Sequence, residues 1–302
     1  MWFWLSLTAL LCWSGSDLFS KIGCRDENDR YSHLKMVIAV GVVMGIHAEI
    51  EIFAGGVPIN PQIILTYLPV SLLYISSMTL GYLGLRYIEL SISSPICNSS
   101  GALVAVLALA TGGLGELVPA QLAATALVCV GVIGLGIVEA REDDDLRAAR
   151  QQASNHRYAK SALALILPVI YCLLDALGTF ADSRVLETLN EDSANCAYEL
   201  TFLLAGIVCF VYVVLIKKSR LVPKREGPKY AGAVCETAGQ FAYIYALADT
   251  EHVALAAPII SAYCVASVLW SRIFLKEKLS WKHYAMIALV VAGIVILGIY
   301  DV

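Results

Sequence analysis

Charge is scarce in this sequence. Asp, Glu, Lys and Arg make up 15% of its 302 residues, where a soluble domain carries about 25%. A larger core cannot make up the difference, because a water-facing surface needs polar cover whatever lies beneath it. With 59% hydrophobic residues and a mean hydropathy of +0.72, the consistent solvent is lipid. The formal charge of −4 gives no footing for nucleic acid. The nine cysteines contain no CxxC pair and no Cys/His cluster, and most sit inside apolar runs as small hydrophobes. No GxxxxGK[ST] phosphate loop appears, which argues against a primary pump, and no HExxH motif or nucleophile–base spacing suggests an enzyme. No cofactor and no metal is expected. Trp2-Phe3-Trp4 opens the chain without a basic n-region or a small-residue cleavage site, so the first apolar run reads as a membrane span.

What is there is a series of apolar runs. A bilayer core of about 30 Å takes roughly 20 residues of helix, and such runs fall near 2–20, 36–54, 62–82, 92–111, 119–139, 161–183, 195–216, 229–247, 253–274 and 281–300. One long polar linker, 141–160 with its acidic Glu142-Asp143-Asp144-Asp145, separates units 1–140 and 161–302. All of the 21 basic residues except Arg184 fall at or beside odd-numbered loops. Positive charge stays cytoplasmic during insertion, so these loops are expected inside and both termini outside, in the plasma membrane.

The two units repeat one another. Tyr82 to Pro95 and Tyr245 to Pro258 keep the same separation; Gly131-Val-Ile-Gly-Leu-Gly136 matches Gly293-Ile-Val-Ile-Leu-Gly298; Trp13-x3-Asp17 matches Tyr171-x3-Asp175. Gly115-Glu116-Leu117 matches Lys276-Glu277-Lys278 after a short offset. Five spans per unit invert the second against the first. The expected fold is an all-α integral membrane protein, ten transmembrane helices as a 5+5 inverted repeat around a central cavity, a symmetry that transporters use for alternating access.

The segments after Pro95 and Pro258, the Gly-Glu and Lys-Glu turns, the closing glycine-rich helices and the opening Trp13-Ser-Gly-Ser-Asp-Leu-Phe-Ser-Lys21 resemble the paired EamA repeats of the drug/metabolite transporter superfamily. The resemblance covers essentially the whole chain, with its specificity in the order and duplication of loose motifs. It implies a ten-helix basket with a central cavity that handles amino acids, nucleosides or other small polar metabolites. Many relatives place both termini in the cytoplasm, the reverse of what the basic loops here indicate.

Ionisable groups inside a bilayer mark function by default. Asp17, Asp175, Glu199 and Glu236 lie within spans, with His47 toward the outer end of the second; Asp17 could instead pair with Lys21, and Glu199 could reach water. The spans offer them almost no cations, which suggests proton coupling, a cationic moiety on the substrate, or both. Glu236, Gln240 and Tyr243 share one helix face, as do Tyr74 and Ser77, Trp13 and Asp17, and Tyr171 and Asp175. Asn98 and Ser261, with Tyr263, follow Pro95 and Pro258, the two candidate hinges. These thirteen residues form the candidate substrate site, with Asp175 and Glu236 the proton-coupling candidates. Packing is the competing reading for the small residues, and an interfacial belt for the aromatics. The expected function is a secondary active transporter, exporter or exchanger, for a small amino-containing polar metabolite, as monomer or homodimer. The alternative is a passive facilitator or channel of the same fold.

Overall fold

The computed structural model describes residues 1–25, 29–87, 90–110, 119–141, 162–276 and 279–299. The acidic linker after Arg141, the Gly115-Glu116 turn and Glu277 lie outside them. The described residues are almost entirely helical. In chain order the helices are α1 (Trp2–Cys24), α2 (Ser32–Phe53), α3 (Pro61–Tyr87), α4 (Leu90–Asn98), α5 (Ser100–Ala110), α6 (Pro119–Ala140), α7 (Ala162–Val185), α8 (Glu191–Phe210), α9 (Pro223–Ala248), α10 (Val253–Ser261), α11 (Tyr263–Trp270) and α12 (Trp281–Ile299).

Local chemistry explains several boundaries. Asn190 caps α8 by accepting from the amides of Asp192 and Ser193, groups a helix start leaves without intrahelical partners. Pro223 opens α9, where its missing N–H costs nothing. Pro95 and Pro258 stand inside α4 and α10, and in each case the helix breaks four residues later, at Ser99 and Ala262. Proline removes the hydrogen bond to the carbonyl four residues back, upstream of these breaks, and Pro69 and Pro168 stand inside α3 and α7 without one, so proline alone does not place them.

Among the described residues, six segments are long and apolar enough to cross a membrane by length and composition: Ser32–Phe53, Pro61–Tyr87, Pro119–Val138, Ile166–Val185, Glu191–Ile216 and Val253–Leu275. A shorter apolar helix, Trp281–Leu297, joins them. Helices α1 and α9 fall short of that measure, and they pack more extensively on each other than any other pair. Their polar residues face inward, so composition alone underrates them. Lipid-type side chains line the outside, with Leu65, Ile137, Leu204, Val208 and Val295 largely exposed.

The helix ends sort into two groups. Ser32 bonds the carbonyl of Cys24 at 3.0 Å and Arg86 bonds that of Asp29 at 2.7 Å. Buried Lys35 pairs with Asp29 at 2.8 Å and with Glu226 at 3.8 Å, and Glu226 pairs with Lys229 at 2.9 Å. The end of α1, the start of α2, the end of α3 and the start of α9 therefore share one basic end. At the other end Ser193 bonds the carbonyl of Pro58 at 2.8 Å, Tyr245 bonds Asp192, and Trp2 stacks on His252.

Candidate functional site

A cavity with about 930 Å³ of empty space, its open mouth included, lies among α1, α3, α4, α5, α7, α8, α9, α10 and α11. Three carboxylates line it: Asp17, Asp175 and Glu236. Asp17 accepts hydrogen bonds from Ser94 at 2.5 Å and Ser267 at 2.8 Å. Asp175 accepts from Ser100 at 2.7 Å, and Glu236 from Ser16 at 2.7 Å. Neutral hydroxyls orient these acids. Among the described lining residues there is no Lys, Arg or His.

Aromatic rings form the rest of the wall. Trp13 packs against Tyr243 with ring centroids 5.0 Å apart and against Tyr263 at 5.8 Å. Each of the two matched ring positions of the repeat rests on a glycine of the opposite unit. Trp13 covers Gly239 of α9, and Tyr171 covers Gly81 of α3, where an added Cβ would stand 2.9 Å from the ring. Only glycine leaves room for that approach.

The hydroxyls of Tyr74 and Tyr243 bond each other, and both reach Thr179 at 3.2 Å. Asp182 extends this network, accepting from Tyr67 at 2.8 Å and from Tyr74 at 3.5 Å. The network ties α3, α7 and α9 together on the side away from the basic end. The cavity itself reaches the other way, to Ser20 of α1 and Leu85 of α3.

Of the residues expected from sequence, Trp13, Asp17, Tyr74 and Asn98 from the first unit line this cavity. So do Tyr171, Asp175, Glu236, Gln240, Tyr243, Ser261 and Tyr263 from the second. Two are elsewhere. Ser77 is buried and spends its hydroxyl on the carbonyl of Tyr74. Glu199 does not reach water: it is 0% exposed, bonded by His47 at 2.9 Å and by Asn195 at 3.2 Å, between α2 and α8. A histidine neighbour resolves that acid, which the sequence left without a cation. Lys21 donates to the carbonyl of Leu85 at 2.8 Å.

Sequence reasoning passed over Ser16, Ser20, Tyr82, Thr179, Asp182 and Tyr198. Asp175, Thr179 and Asp182 recur at helical spacing on one face of α7, a signal that could have found the last two. Ser16 and Ser20 share the Trp13 face of α1 and Tyr82 the Tyr74 face of α3, so the same spacing could have marked them, whereas Tyr198 had no such mark.

Apolar helices wrapped around a buried polar cavity are the build of a multi-pass membrane protein. Residues 162–299 match the model of the EamA-like transporter family, a part of the drug/metabolite transporter superfamily, so the second half of the chain is similar to that family. A search of curated proteins returns no match. Among solved structures 28 chains match. One, described only as a crystal structure of a protein, is similar over 98% of this chain and 96% of its own at 14% identity, with a TM-score of 0.64. That similarity is one of fold, and it runs through both halves.

Proposed function

We propose that the chain is a secondary active transporter that exports or exchanges a small amino-containing polar metabolite by alternating access. The observation that carries this reading is the cavity in which Asp17, Asp175 and Glu236 converge with no cationic side chain among the described lining. Charge in a low-dielectric site has to be compensated. Protons or a cationic group on the solute can supply the compensation, and exchange of one for the other couples the solute to a proton gradient. Asp175 and Glu236 are the residues assigned to that exchange.

Ten spans in two inverted units, 1–140 and 161–302 joined by the linker 141–160, complete the proposal. Its support is the exchange symmetry of the packing. Helix α1 packs on α9 as α7 packs on α3, while α2 meets α8, α5 meets α10 and α6 meets α12. Asp17 takes a serine from α11, and Asp175 takes one from α5, so each acid is held by the broken helix of the other unit. Pro95 and Pro258 serve as matched hinges. We place the protein in the plasma membrane with the basic loops cytoplasmic and the termini outside. In that orientation the tyrosine network closes the outer side and the cavity extends inward. The chain acts as a carrier rather than an enzyme, and a small solute, protons and lipid are its partners.

Proteoliposomes test the coupling. Uptake of radiolabelled amines and amino acids under an imposed pH gradient should exceed uptake without one, and Asp175→Asn and Glu236→Gln should abolish the difference. Variants that follow the gradient as the parent does would remove both residues from proton coupling.

A further inference from the structure

The proposed transport reading leaves the solute as any amino-containing metabolite. We infer that the cavity takes an organic amine without a carboxylate, one that also carries a hydroxyl. This rests on the transporter reading above and narrows it.

The first argument is electrostatic. An amino acid brings an ammonium and a carboxylate together. The ammonium has three acceptors in Asp17, Asp175 and Glu236, but the carboxylate meets no Lys, Arg or His among the described lining residues. A helix start can substitute for a cation in holding an anion. The start of α5 reaches the cavity at Gly101, and Ser100 beside it already donates to the Asp175 carboxylate. A second carboxylate there would face a like charge. Rejection of this kind sets specificity as firmly as attraction does.

The second argument comes from polar groups left over. Gln240 is 3% exposed, lines the cavity, and its side-chain Nε2 has no hydrogen-bond partner. Tyr82 is 6% exposed, lines the same cavity, and its hydroxyl also has none. Buried polar groups are nearly always satisfied, so these two await partners on a ligand. Gln240 lies one helical turn from Glu236 on α9, which places an amide beside the acid that holds the ammonium. The Nε2 group only donates and the phenol donates or accepts, so a ligand hydroxyl, whose oxygen can accept from both, fits them. The faces of Trp13, Tyr243 and Tyr263 add cation–π attraction for the same ammonium.

Matched pairs that differ only by a carboxylate isolate the claim: cadaverine against lysine, ethanolamine against serine, tyramine against tyrosine. Binding would be measured with the full chain in lipid nanodiscs, by thermal shift and by calorimetry, at one pH above neutral. The inference expects the amine of each pair to bind at least ten times more tightly than its amino acid. It also expects ethanolamine to bind more tightly than propylamine, its counterpart without the hydroxyl. Gln240→Leu should erase that second preference, with ethanolamine losing more affinity than propylamine. Amino acids that bind as tightly as their amines would overturn the inference and leave the transporter reading in place. Failure of every amine and amino acid to bind or to move in proteoliposomes would overturn both.

Discussion

Ser16 on α1 donates a 2.7 Å hydrogen bond to Glu236 on α9, joining at a carboxylate the two helices that pack most extensively in the structure. A hydroxyl can hold a carboxylate in place without neutralising it. Glu236 is thereby positioned and left available, with Asp17 and Asp175 the other acids on the same cavity.

The sign of the pH dependence follows. An amine cation needs the carboxylates ionised, so amine binding should strengthen as pH rises through the titration of this cluster. Glu236→Gln removes one charged acceptor and should weaken binding about 10- to 100-fold, the equivalent of one charge-assisted hydrogen bond. The variant's binding should also vary less with pH. Calorimetric titrations across a pH series would check both, and an unchanged profile would contradict the assignment.

Tyr74 and Tyr243 are bonded through their hydroxyls beside Thr179 and Asp182. Tyr74→Phe and Tyr243→Phe should each destabilise the protein by about 1 kcal/mol. Because the two share one bond, the double variant should cost less than the sum by at least about 0.5 kcal/mol. Thermal unfolding in one detergent supplies the comparison, and strict additivity would show that the pair is not coupled.

Gly81 and Gly227 offer a contrast within one chemistry. A Cβ at Gly81 would meet the Tyr171 ring at 2.9 Å, whereas nothing lies within 4 Å of one at Gly227. Gly81→Ala should push Tyr171 into the cavity and cost about 1–3 kcal/mol, as overpacking does. Gly227→Ala, in an exposed part of α9, should be neutral or stabilise by up to about 1 kcal/mol. Melting temperatures of the two variants decide the matter, and equal effects would contradict the packing described here.

Glu226 sits between two buried ammonium groups, Lys35 and Lys229. Lys35 keeps Asp29 and the carbonyl of Arg220, whereas the described contacts of Lys229 beyond Glu226 reduce to the Arg225 carbonyl. Glu226→Gln should therefore destabilise the basic end by about 3–5 kcal/mol, the usual cost of stripping one partner from a buried pair. Thermal unfolding measures it. A loss under about 1 kcal/mol would mean that water reaches these lysines.

Much of this arrangement was legible in the sequence. Pro95 and Pro258 marked the two helices that break, though not where they break, and the shared faces of Trp13 with Asp17 and Tyr171 with Asp175 follow from helical spacing. Asp182 was hidden because it stands just before Ser183-Arg184, which reads as a helix end at the interface. Its burial depends on Tyr67, more than 100 positions away. The pairing of Glu199 with His47 spans 152 positions and was equally out of reach of local pattern. Tyr82 and Ser16 shared faces with Tyr74 and Trp13, but spacing did not single them out, since a hydroxyl in an apolar run packs as readily as it binds.

Counterflow in proteoliposomes tests the central claim, that this chain is an alternating-access carrier with an acidic amine site. Vesicles loaded with unlabelled cadaverine should take up external labelled cadaverine faster than empty ones and transiently concentrate it, and Glu236→Gln should lose the effect. Equal entry into loaded and empty vesicles, without transient accumulation, would contradict a carrier and favour an open pore.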